Sequence, residues 1–474
     1  MEYPVNENKT VNAETIEASS LINVSEILDN AKVNKLSLIV LILCFFFMVI
    51  DGYDYGIISN AAPLIMQEWN IDAALFGPVF SVALFGWLLG SVIFGFLSDK
   101  TGRKWTLFIG GLIVVIGALG VYLSYNVAHL LIARFFTGVG AGGAVPVAMV
   151  LTSEYSPAKS RAKFITIMFS GFVVGTVLGS YIAAGVMPAA GWRAIFLIGA
   201  ILPIPAILLI FFALPESARW LVANMKTQGQ RATLIRVLKT ARPELVVDEN
   251  TRFAATFQGK KKQDQHSIKQ IFKEKLAWAT PMLWAFYVVS SLALFFIGNW
   301  MPQVLVMKGF TPGEASAMVG TSGIFGIAGT ILVGLWLDKF GMRYGAIWPL
   351  ITVVCTALIG GSTGAVLFVW ICMNSFFMNG GHTILTVISP VIYPYDIRAR
   401  GTGLANAAGK AGSIIGPIVG GVMISIGLPM TTLFYFAATP FILAAIFAWF
   451  LGRAYDFHFK PFYEGRIAGN SNPG

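Results

Sequence analysis

The sequence GFLSDKTGRK, residues 95–104, has a second copy later in the chain, GLWLDKFGMR, residues 334–343. In both copies a glycine is followed after four residues by Asp and then Lys, and another glycine stands three residues beyond that Asp. The paired positions are Gly95, Asp99 and Gly102 in the first copy and Gly334, Asp338 and Gly341 in the second. Such self-similarity indicates that the chain consists of two related halves.

Each copy of the loop follows the second of a series of apolar runs. The chain of 474 residues is 56% hydrophobic and only 12% charged, whereas a soluble domain is about 25% charged. A helix needs about 20 apolar residues to cross a bilayer. Runs of this length lie at 36–58, 76–97, 105–123, 128–151, 164–187 and 192–214, and again at 277–299, 315–337, 345–362, 365–391, 402–427 and 431–452. The sequence therefore predicts an all-α integral membrane protein with twelve transmembrane helices in two six-helix halves.

The basic residues test this layout, because loops that face the cytoplasm hold most of the Lys and Arg. If the N-terminus is cytoplasmic, Arg193 and Lys308 lie in external loops and Arg134 and Lys410 lie inside spans, which leaves 29 of 33 Lys and Arg on the cytoplasmic side. Both termini are therefore predicted to be cytoplasmic. The net charge of +10 is explained by basic loops beside the anionic lipid bilayer, and no nucleic-acid partner is expected.

Polar stretches divide the chain into five segments. We predict a disordered cytoplasmic tail (1–35), a six-helix bundle (36–214), a cytoplasmic linker with short surface helices (215–276), a second six-helix bundle (277–452) and a cytoplasmic C-terminal tail (453–474). The first segment lacks the short apolar region of a signal peptide. Cys44, Cys355 and Cys372 lie in apolar spans without metal-ligand spacing, so they are interpreted as packing residues.

Two homologous six-span halves around a central site are common in secondary transporters. The two loop copies, EYSPAKSRAK at 154–163 and LPESARW at 214–220 resemble the major facilitator superfamily, and the resemblance covers residues 36–452. DGYD at 51–54 and NWMPQVL at 299–305 resemble, more narrowly, the aromatic acid:proton symporter family. The resemblance implies the major facilitator fold and transport by alternating access.

Three ionisable residues inside the first-half spans, Asp51, Asp54 and Arg134, are candidates for proton coupling. Each costs roughly 2.5 to 3.5 kcal/mol to insert, so such residues are functional candidates by default. A rise of 1.5 Å per residue puts Asp51 about 22 Å from the inner face and Arg134 about 9 Å from the outer face, which is one level in a core about 30 Å thick. An acidic pair beside a cation can link ligand arrival to proton binding. The alternative is that these residues only hold helices together.

Lys410, near mid-depth in ANAAGKAGSIIGP, is the predicted anchor for a substrate carboxylate. The family usually carries Arg at this position, which offers a planar two-point fork that Lys lacks. A lysine that extends toward the inner surface is the alternative. Other candidates for the substrate site fall into two groups. Those that could form hydrogen bonds with the substrate are His382, Asn379 and Asn374, and those that could stack on its ring are Tyr53, Tyr55 and Trp300. The alternative interpretations are that the histidine only packs between helices and that the aromatic residues lie at the membrane interface.

The repeated loop is interpreted as a gate. Gly95 and Gly334 are expected to let helices approach closely, and charged groups at the cytoplasmic ends can lock neighbouring spans in one state. By resemblance Asp99 and Arg103 form this lock, with Glu154 and Arg161 of the next inner loop as their partners. In the second copy Arg343 lies five residues after Asp338, whereas Arg103 lies four residues after Asp99. The remaining gate candidates are Gly102 and Arg400. Surface salt bridges without a gating role are the alternative.

These observations predict a transporter rather than an enzyme. The sequence has no phosphate-cradling Gly-Lys-Ser/Thr loop and no clustered His or Cys, so no cofactor is expected and an ion gradient must supply the energy. We predict a monomeric multi-pass protein of a bacterial cell inner membrane that imports a benzoate- or hydroxybenzoate-type carboxylate together with protons. Alternatives are the same fold carrying a non-aromatic acid such as muconate, a sugar or another organic ion, or a channel or sensor with a carrier fold.

Overall fold

The computed structural model describes residues 21–459 apart from 246, 248–250, 255–267, 274–275 and 395–396. In this part of the chain, eleven continuous helical segments are long and apolar enough to cross a membrane. One of them, Ala158–Ala213, has 56 residues, which is about 84 Å of helix and well over twice the thickness of a bilayer core. The segment is interrupted at Gly191, whose φ of 72° and ψ of 173° are not helical. It therefore makes two crossings, and the prediction of twelve spans is confirmed.

The helices, numbered span 1 to span 12 in chain order, have the following bounds. Spans 1 to 4 are Lys35–Trp69, Ala73–Thr101, Arg103–Tyr122 and Val127–Tyr155, and spans 5 and 6 come from the interrupted helix Arg161–Ile201 together with Pro203–Ala213. Spans 7 to 12 are Leu276–Met307, Pro312–Phe340, Ile347–Gly361, Gly364–Ile392, Arg398–Ser425 and Met430–Ala454. Span 1 is longer than the apolar run predicted because it continues through polar residues to Trp69.

Local sequence signals explain where several spans begin and end. Span 1 begins with a capping box, in which the side chains of Asn34 and Ser37 each accept the other's backbone N–H. It ends at Asn70, which adopts the left-handed conformation with φ 49°. Span 8 begins with a capping box formed by Thr311 and Glu314 around Pro312. These side chains satisfy the backbone groups that a helix end leaves unpaired.

The two halves repeat the same helix pairings. Span 1 packs on span 5 and span 2 on span 4 in the first half, and span 7 packs on span 11 and span 8 on span 10 in the second. Large apolar side chains remain exposed around the bundle, among them Phe85, Phe96 and Phe212. A soluble protein would bury such a surface, whereas in a membrane protein it faces lipid.

The halves meet at one end of the molecule and are separate at the other. We call the end that carries residues 99–104, 154–161, 216–241 and 338–344 the basic end. At the opposite end one buried apolar cluster contains residues of both halves, including Tyr53 and Trp300. At the basic end each half has an apolar cluster of its own. The structure is therefore closed opposite the basic end and open at the basic end.

Hydrogen bonds between the halves also lie toward the closed end. Ser81 of span 2 donates to the carbonyl of Ile414 in span 11 at 2.6 Å. The hydroxyls of Tyr181 in span 5 and Thr321 in span 8 are 2.9 Å apart. Spans 2 and 11 and spans 5 and 8 thus form the contact between the halves.

The expectation that Gly95 and Gly334 mediate close helix packing is wrong for this conformation. A Cβ atom built on either residue would meet nothing within 4 Å. Both glycines belong to the basic end, where each half has an apolar cluster of its own. The closest helix approaches lie deeper in each half, as at Gly138, where a Cβ would lie 2.0 Å from the carbonyl oxygen of Ala83.

The prediction of a disordered tail at residues 1–35 is wrong for residues 21–30. Leu21–Asn23 forms a short parallel strand with Arg252–Ala254 of the linker, and Val24–Asn30 is a helix. Val24 and Leu28 are buried in the apolar cluster at the basic end of the first half, because the linker helices Ala218–Asn224 and Gln228–Ala241 supply apolar partners. The remaining tail predictions, for residues 1–20 and 460–474, lie outside the described residues.

Candidate functional site

An ion pair lies inside the first half. Arg134 of span 4 donates a hydrogen bond to Asp54 Oδ2 of span 1 at 2.7 Å, and the side chains are only 3% and 15% exposed. Asp54 Oδ1 and Arg134 Nε are buried and have no hydrogen-bond partner. The proximity of Arg134 to the acidic pair, predicted from depth in the membrane, is confirmed for Asp54.

Asp51 lies one helical turn before Asp54 and takes no part in that ion pair. Among the described residues it forms no salt bridge, and it interacts electrostatically with Asp54, Arg134 and Lys410. Arg134 is therefore hydrogen-bonded to one of the two acids only. Asp51 thus interacts with Arg134, which is paired with Asp54 in the same half, and with Lys410 of the other half.

Lys410 of span 11 faces across the boundary between the halves. Its ammonium lies 3.8 Å from the ring centroid of Trp87 in span 2. Within the described part of the chain it makes neither a hydrogen bond nor a salt bridge, and its electrostatic partner is Asp51. A lysine extended to the surface, which was the alternative, does not describe this position. The side chain is half-buried, its ammonium rests on an aromatic face, and no acid among the described residues forms a salt bridge with it.

Trp87 lies at this site and was missed by sequence reasoning. Its ring packs beside the cluster of Ile50, Val114, Ala141 and Ala206, and Ile50 directly precedes Asp51. A signal was present in the sequence: Trp87 lies in the middle of Ala73–Thr101, whereas tryptophan is enriched at the ends of spans, at the membrane interface.

Polar residues of span 10 lie on the second-half side of the site. His382 Nδ1 is 2.9 Å from Ser290 Oγ of span 7, and His382 interacts electrostatically with Lys410. Asn379 is half-buried and donates to the carbonyl of Ser375 at 2.8 Å. The Asn374 amide donates to Thr356 Oγ1 inside the second half, so Asn374 is a packing residue.

Two aromatic residues predicted to stack on a ligand lie elsewhere. The Tyr53 hydroxyl donates to the carbonyl of Ile195 at 2.8 Å. Trp300 Nε1 donates to the carbonyl of Pro417 at 2.8 Å. Both rings are fully buried in the apolar cluster of the closed end, because they fill the seal between helices there. This placement corrects their assignment to the substrate site.

Tyr55, which was also a candidate, does face the other half. Its ring centroid lies 5.7 Å from that of Phe172 in span 5 and 5.7 Å from that of Phe295 in span 7. A Cβ built on Gly298 of span 7 would lie 3.7 Å from the Tyr55 hydroxyl oxygen. Tyr55 thus gives the interior an aromatic wall next to Asp54.

At the basic end of the first half, a carboxylate docks on the first repeated loop. Glu216 Oε1 accepts the backbone N–H groups of Arg103 at 2.7 Å and Lys104 at 3.2 Å, at the start of span 3. Gly102 adopts a φ of +95°, and a Cβ there would lie 2.2 Å from Glu216 Oε2. Burial raises the pKa of the Glu216 carboxyl, although its hydrogen bonds from backbone N–H groups act the other way. Glu216 was not predicted, although the LPESARW motif contains it.

The charged gate candidates are paired differently from the expectation. Asp99 and Arg103 do interact, at 3.2 Å, but Asp99 is 73% exposed. Arg161 pairs with Asp29 of the N-terminal helix at 2.5 Å and, among the described residues, not with Asp99. Glu154 instead accepts a short hydrogen bond from Ser217 Oγ. The folded N-terminal helix, absent from the sequence prediction, is the reason for this exchange of partners.

The second repeated loop receives a carboxylate in the same way as the first. The backbone N–H of Arg343 donates to Asp456 Oδ2 at 3.3 Å, and Gly341 has a φ of +92°. The Arg343 guanidinium contacts the Tyr344 hydroxyl at 3.1 Å and, in the described structure, no salt bridge joins it to Asp338. The Arg343 side chain therefore does not repeat the ion pair that Arg103 forms with Asp99. Arg400 lies in the first turn of span 11, at the same end of the molecule.

A family model for the Major Facilitator Superfamily matches residues 44–358 and 283–462. The chain belongs to the major facilitator superfamily. It is accordingly a multi-pass membrane transporter and not an enzyme. Among the residues described by the structure, no group of three or more His, Cys, Asp or Glu is placed to hold a metal ion.

Members of this superfamily with similar sequences carry aromatic acids. The gallate transporter of Pseudomonas putida is 31% identical over 432 residues, which is 90% of this chain and 94% of that protein. The benzoate transport protein of Acinetobacter baylyi is 28% identical, with 90% and 91% covered. The 4-hydroxybenzoate transporter PcaK of the same organism is 29% identical, with 91% and 93% covered.

Solved structures of the superfamily have the same fold. A bacterial homologue of the human lysosomal transporter Spinster, in an inward-facing and occupied conformation, superposes with a TM-score of 0.72 at 15% identity, covering 89% of this chain and 98% of the other. A D-xylose–proton symporter superposes with a TM-score of 0.65 at 18% identity, covering 88% and 98%. At such identities the likeness concerns the fold alone.

Proposed function

We propose that the protein imports an aromatic monocarboxylate, of the benzoate or hydroxybenzoate type, together with protons. The observation that carries the proposal is the ammonium of Lys410, a half-buried side chain inside a membrane span. It rests 3.8 Å from the Trp87 ring centroid and forms no salt bridge in the described chain. A cation inside a membrane span without an ionic partner is unfavourable, so a substrate carboxylate is a suitable partner. The gallate, benzoate and 4-hydroxybenzoate transporters among the relatives support an aromatic acid.

Proton coupling is proposed to act through Asp51. This carboxylate and Lys410 interact across the boundary between the halves, whereas Asp54 is engaged by Arg134. A substrate carboxylate on Lys410 brings a second negative charge near Asp51. Uptake of a proton at Asp51 relieves the repulsion, so substrate and proton stabilise each other's binding. His382, which interacts with Lys410, and Asn379 complete the proposed site as hydrogen-bonding groups.

The basic end is proposed to be cytoplasmic, because basic loops face the cytoplasm. The observed conformation, closed at the opposite end, is then inward-open. Both termini lie in the cytoplasm of a cell whose inner membrane holds the transporter as a monomer.

Gating is proposed to use the two repeated loops. In the outward-open state the halves approach at the basic end, where Gly95 and Gly334 now face open space. Asp99, Arg103, Glu154, Arg161, Asp338, Arg343 and Arg400 are the charged groups placed there to lock and release this end. Their interactions bias the two states without touching the ligand.

Uptake into proteoliposomes tests the proposal. Purified protein is reconstituted, an inward proton gradient is imposed, and accumulation of radiolabelled benzoate, 4-hydroxybenzoate, gallate, muconate and xylose is compared. We expect gradient-driven accumulation of at least one aromatic acid and accelerated counterflow of the same acid. Accumulation of muconate or xylose alone would overturn the substrate class. Flux without counterflow would indicate a channel.

A further inference from the structure

Trp87 and Lys410 join the two halves at the substrate site. Trp87 belongs to span 2 and Lys410 to span 11, and their contact is a cation over a ring at 3.8 Å from the centroid. Lys410 and Asp51 also interact across this boundary. The function proposed above uses Lys410 and Asp51 but leaves the indole without a role.

We propose that Trp87 is the ring platform of the substrate site and that it holds Lys410 in the unloaded state. A substrate carboxylate draws the ammonium off the indole, and the aromatic ring of the substrate stacks on the face that Lys410 has left. This inference rests on the proposed function and specifies which residue recognises the aromatic part of the substrate.

The backbone of Trp87 is held firmly enough to serve as a platform. A Cβ on Gly142 would lie 2.1 Å from the Trp87 carbonyl oxygen, so the glycine permits span 4 to press directly on the main chain of Trp87. The indole also packs beside Ile50, Val114, Ala141 and Ala206. A rigid aromatic anchor binds a ring with little loss of conformational freedom.

Lys410, in contrast, is suited to move. Its ammonium is attached through a flexible four-carbon stem, and no hydrogen bond holds it among the described residues. A cation–π contact is weaker than a charge-assisted hydrogen bond to a carboxylate. The exchange of the Trp87 face for a carboxylate is therefore favourable, and it keeps the cation satisfied both with and without substrate.

The same exchange distinguishes aromatic from saturated acids. Any carboxylate can displace Lys410, but a flat π-system gains most from the vacated indole face. Trp87 is thus expected to determine specificity for the ring, whereas Lys410 determines the requirement for a carboxylate.

Fluorine NMR of protein labelled with 5-fluorotryptophan tests the exchange directly. Trp87→Phe assigns the Trp87 resonance, and Trp348→Phe assigns a control, because the Trp348 ring is buried and stacked on Phe376 at an interplanar angle of 18° within the second half. Titration with benzoate is expected to shift the Trp87 resonance and to leave that of Trp348 in place. A stationary Trp87 resonance while calorimetry shows benzoate binding would overturn the inference.

Binding to variants provides the second measurement. Trp87→Leu is expected to bind benzoate about tenfold more weakly but cyclohexanecarboxylate within about threefold of wild type, whereas Trp87→Phe keeps a ring and stays within about threefold for both. Equal losses for both acids would give Trp87 a merely structural role and overturn the inference. If wild-type protein binds benzoate and Trp87→Leu binds it equally well, only this inference fails. Failure of wild-type protein to bind any aromatic acid would instead remove the proposed function and this inference together.

Discussion

Arg134 is hydrogen-bonded to Asp54 at 2.7 Å, while Asp51, one helical turn away on the same span, makes no salt bridge among the described residues. The two acids of DGYD therefore have different environments. Asp54 is engaged by a buried guanidinium within its own half, and Asp51 interacts with Lys410 across the boundary between the halves. From this difference we infer that Asp54 maintains the site and that Asp51 exchanges the proton.

Asp51→Asn should leave a folded protein that no longer accumulates substrate in response to a proton gradient. Exchange of substrate across the membrane should persist, since it needs no net proton movement. Paired assays of gradient-driven uptake and counterflow in proteoliposomes measure the difference. Undiminished gradient-driven uptake by this variant would show that Asp51 does not carry the proton.

Asp54→Asn should be the more destabilising change of the two. It leaves the Arg134 guanidinium buried and without its ionic partner, and breaking a buried ion pair costs about 3 to 5 kcal/mol. Thermal unfolding in detergent measures the loss. The double variant Asp54→Asn with Arg134→Gln removes both charges and should recover much of the stability; if it is no more stable than Asp54→Asn alone, the ion pair is not the cause.

Lys410→Ala should weaken binding of the aromatic acid by at least about tenfold, the effect expected when a charge-assisted hydrogen bond is lost. Lys410→Arg keeps the cation and should bind the acid less than about tenfold more weakly than wild type. Calorimetry on purified protein is the appropriate measurement, because uptake alone combines affinity and turnover. Normal binding by Lys410→Ala together with loss of binding by Arg134→Ala would place the carboxylate on Arg134.

Glu216→Gln should change the pH dependence of stability. Burial raises the folded-state pKa of Glu216 above its ordinary value of 4.5. An acid with a raised pKa favours folding most below its unfolded pKa, and that contribution is lost as the pH rises through the folded pKa. Relative to Glu216→Gln, wild-type protein should therefore lose thermal stability as the pH rises above 4.5. If the melting temperatures of the two proteins change with pH in the same way, the pKa argument is refuted.

Asp29→Asn should slow transport without changing substrate affinity. Asp29 accepts hydrogen bonds from Arg161 at 2.5 Å and Arg219 at 3.3 Å, so it joins the N-terminal helix to span 5 and to the linker. These groups are partly exposed, and the expected loss of stability is only about 1 kcal/mol. Glu26→Gln, on an exposed face of the same helix, is the matched control. If Asp29→Asn and Glu26→Gln transport at equal rates, Asp29 takes no part in gating.

Several features could be predicted from the sequence because they depend only on the positions of residues along the chain. Twelve spans follow from the lengths of the apolar runs, and the internal repeat follows from the paired loops at Gly95 and Gly334. The proximity of Arg134 and Asp54 could be predicted because depth in a bilayer is set by the number of residues along a helix. The sequence also predicts an orientation in the membrane, because basic residues are concentrated in cytoplasmic loops.

The remaining features depend on which side chains meet across distant parts of the chain. Trp87 meets Lys410 because span 2 of one half faces span 11 of the other. Glu216 reaches the loop at Gly102, and Asp456 the loop at Gly341, because the chain returns to the basic end after the last span of each half. Tyr53 and Trp300 became part of a seal, while Gly95 and Gly334 face open space, because the halves are closed at one end and apart at the other. The composition of a helix does not specify its rotation, its neighbours or the conformational state of the two halves, and packing between the helices specifies all three.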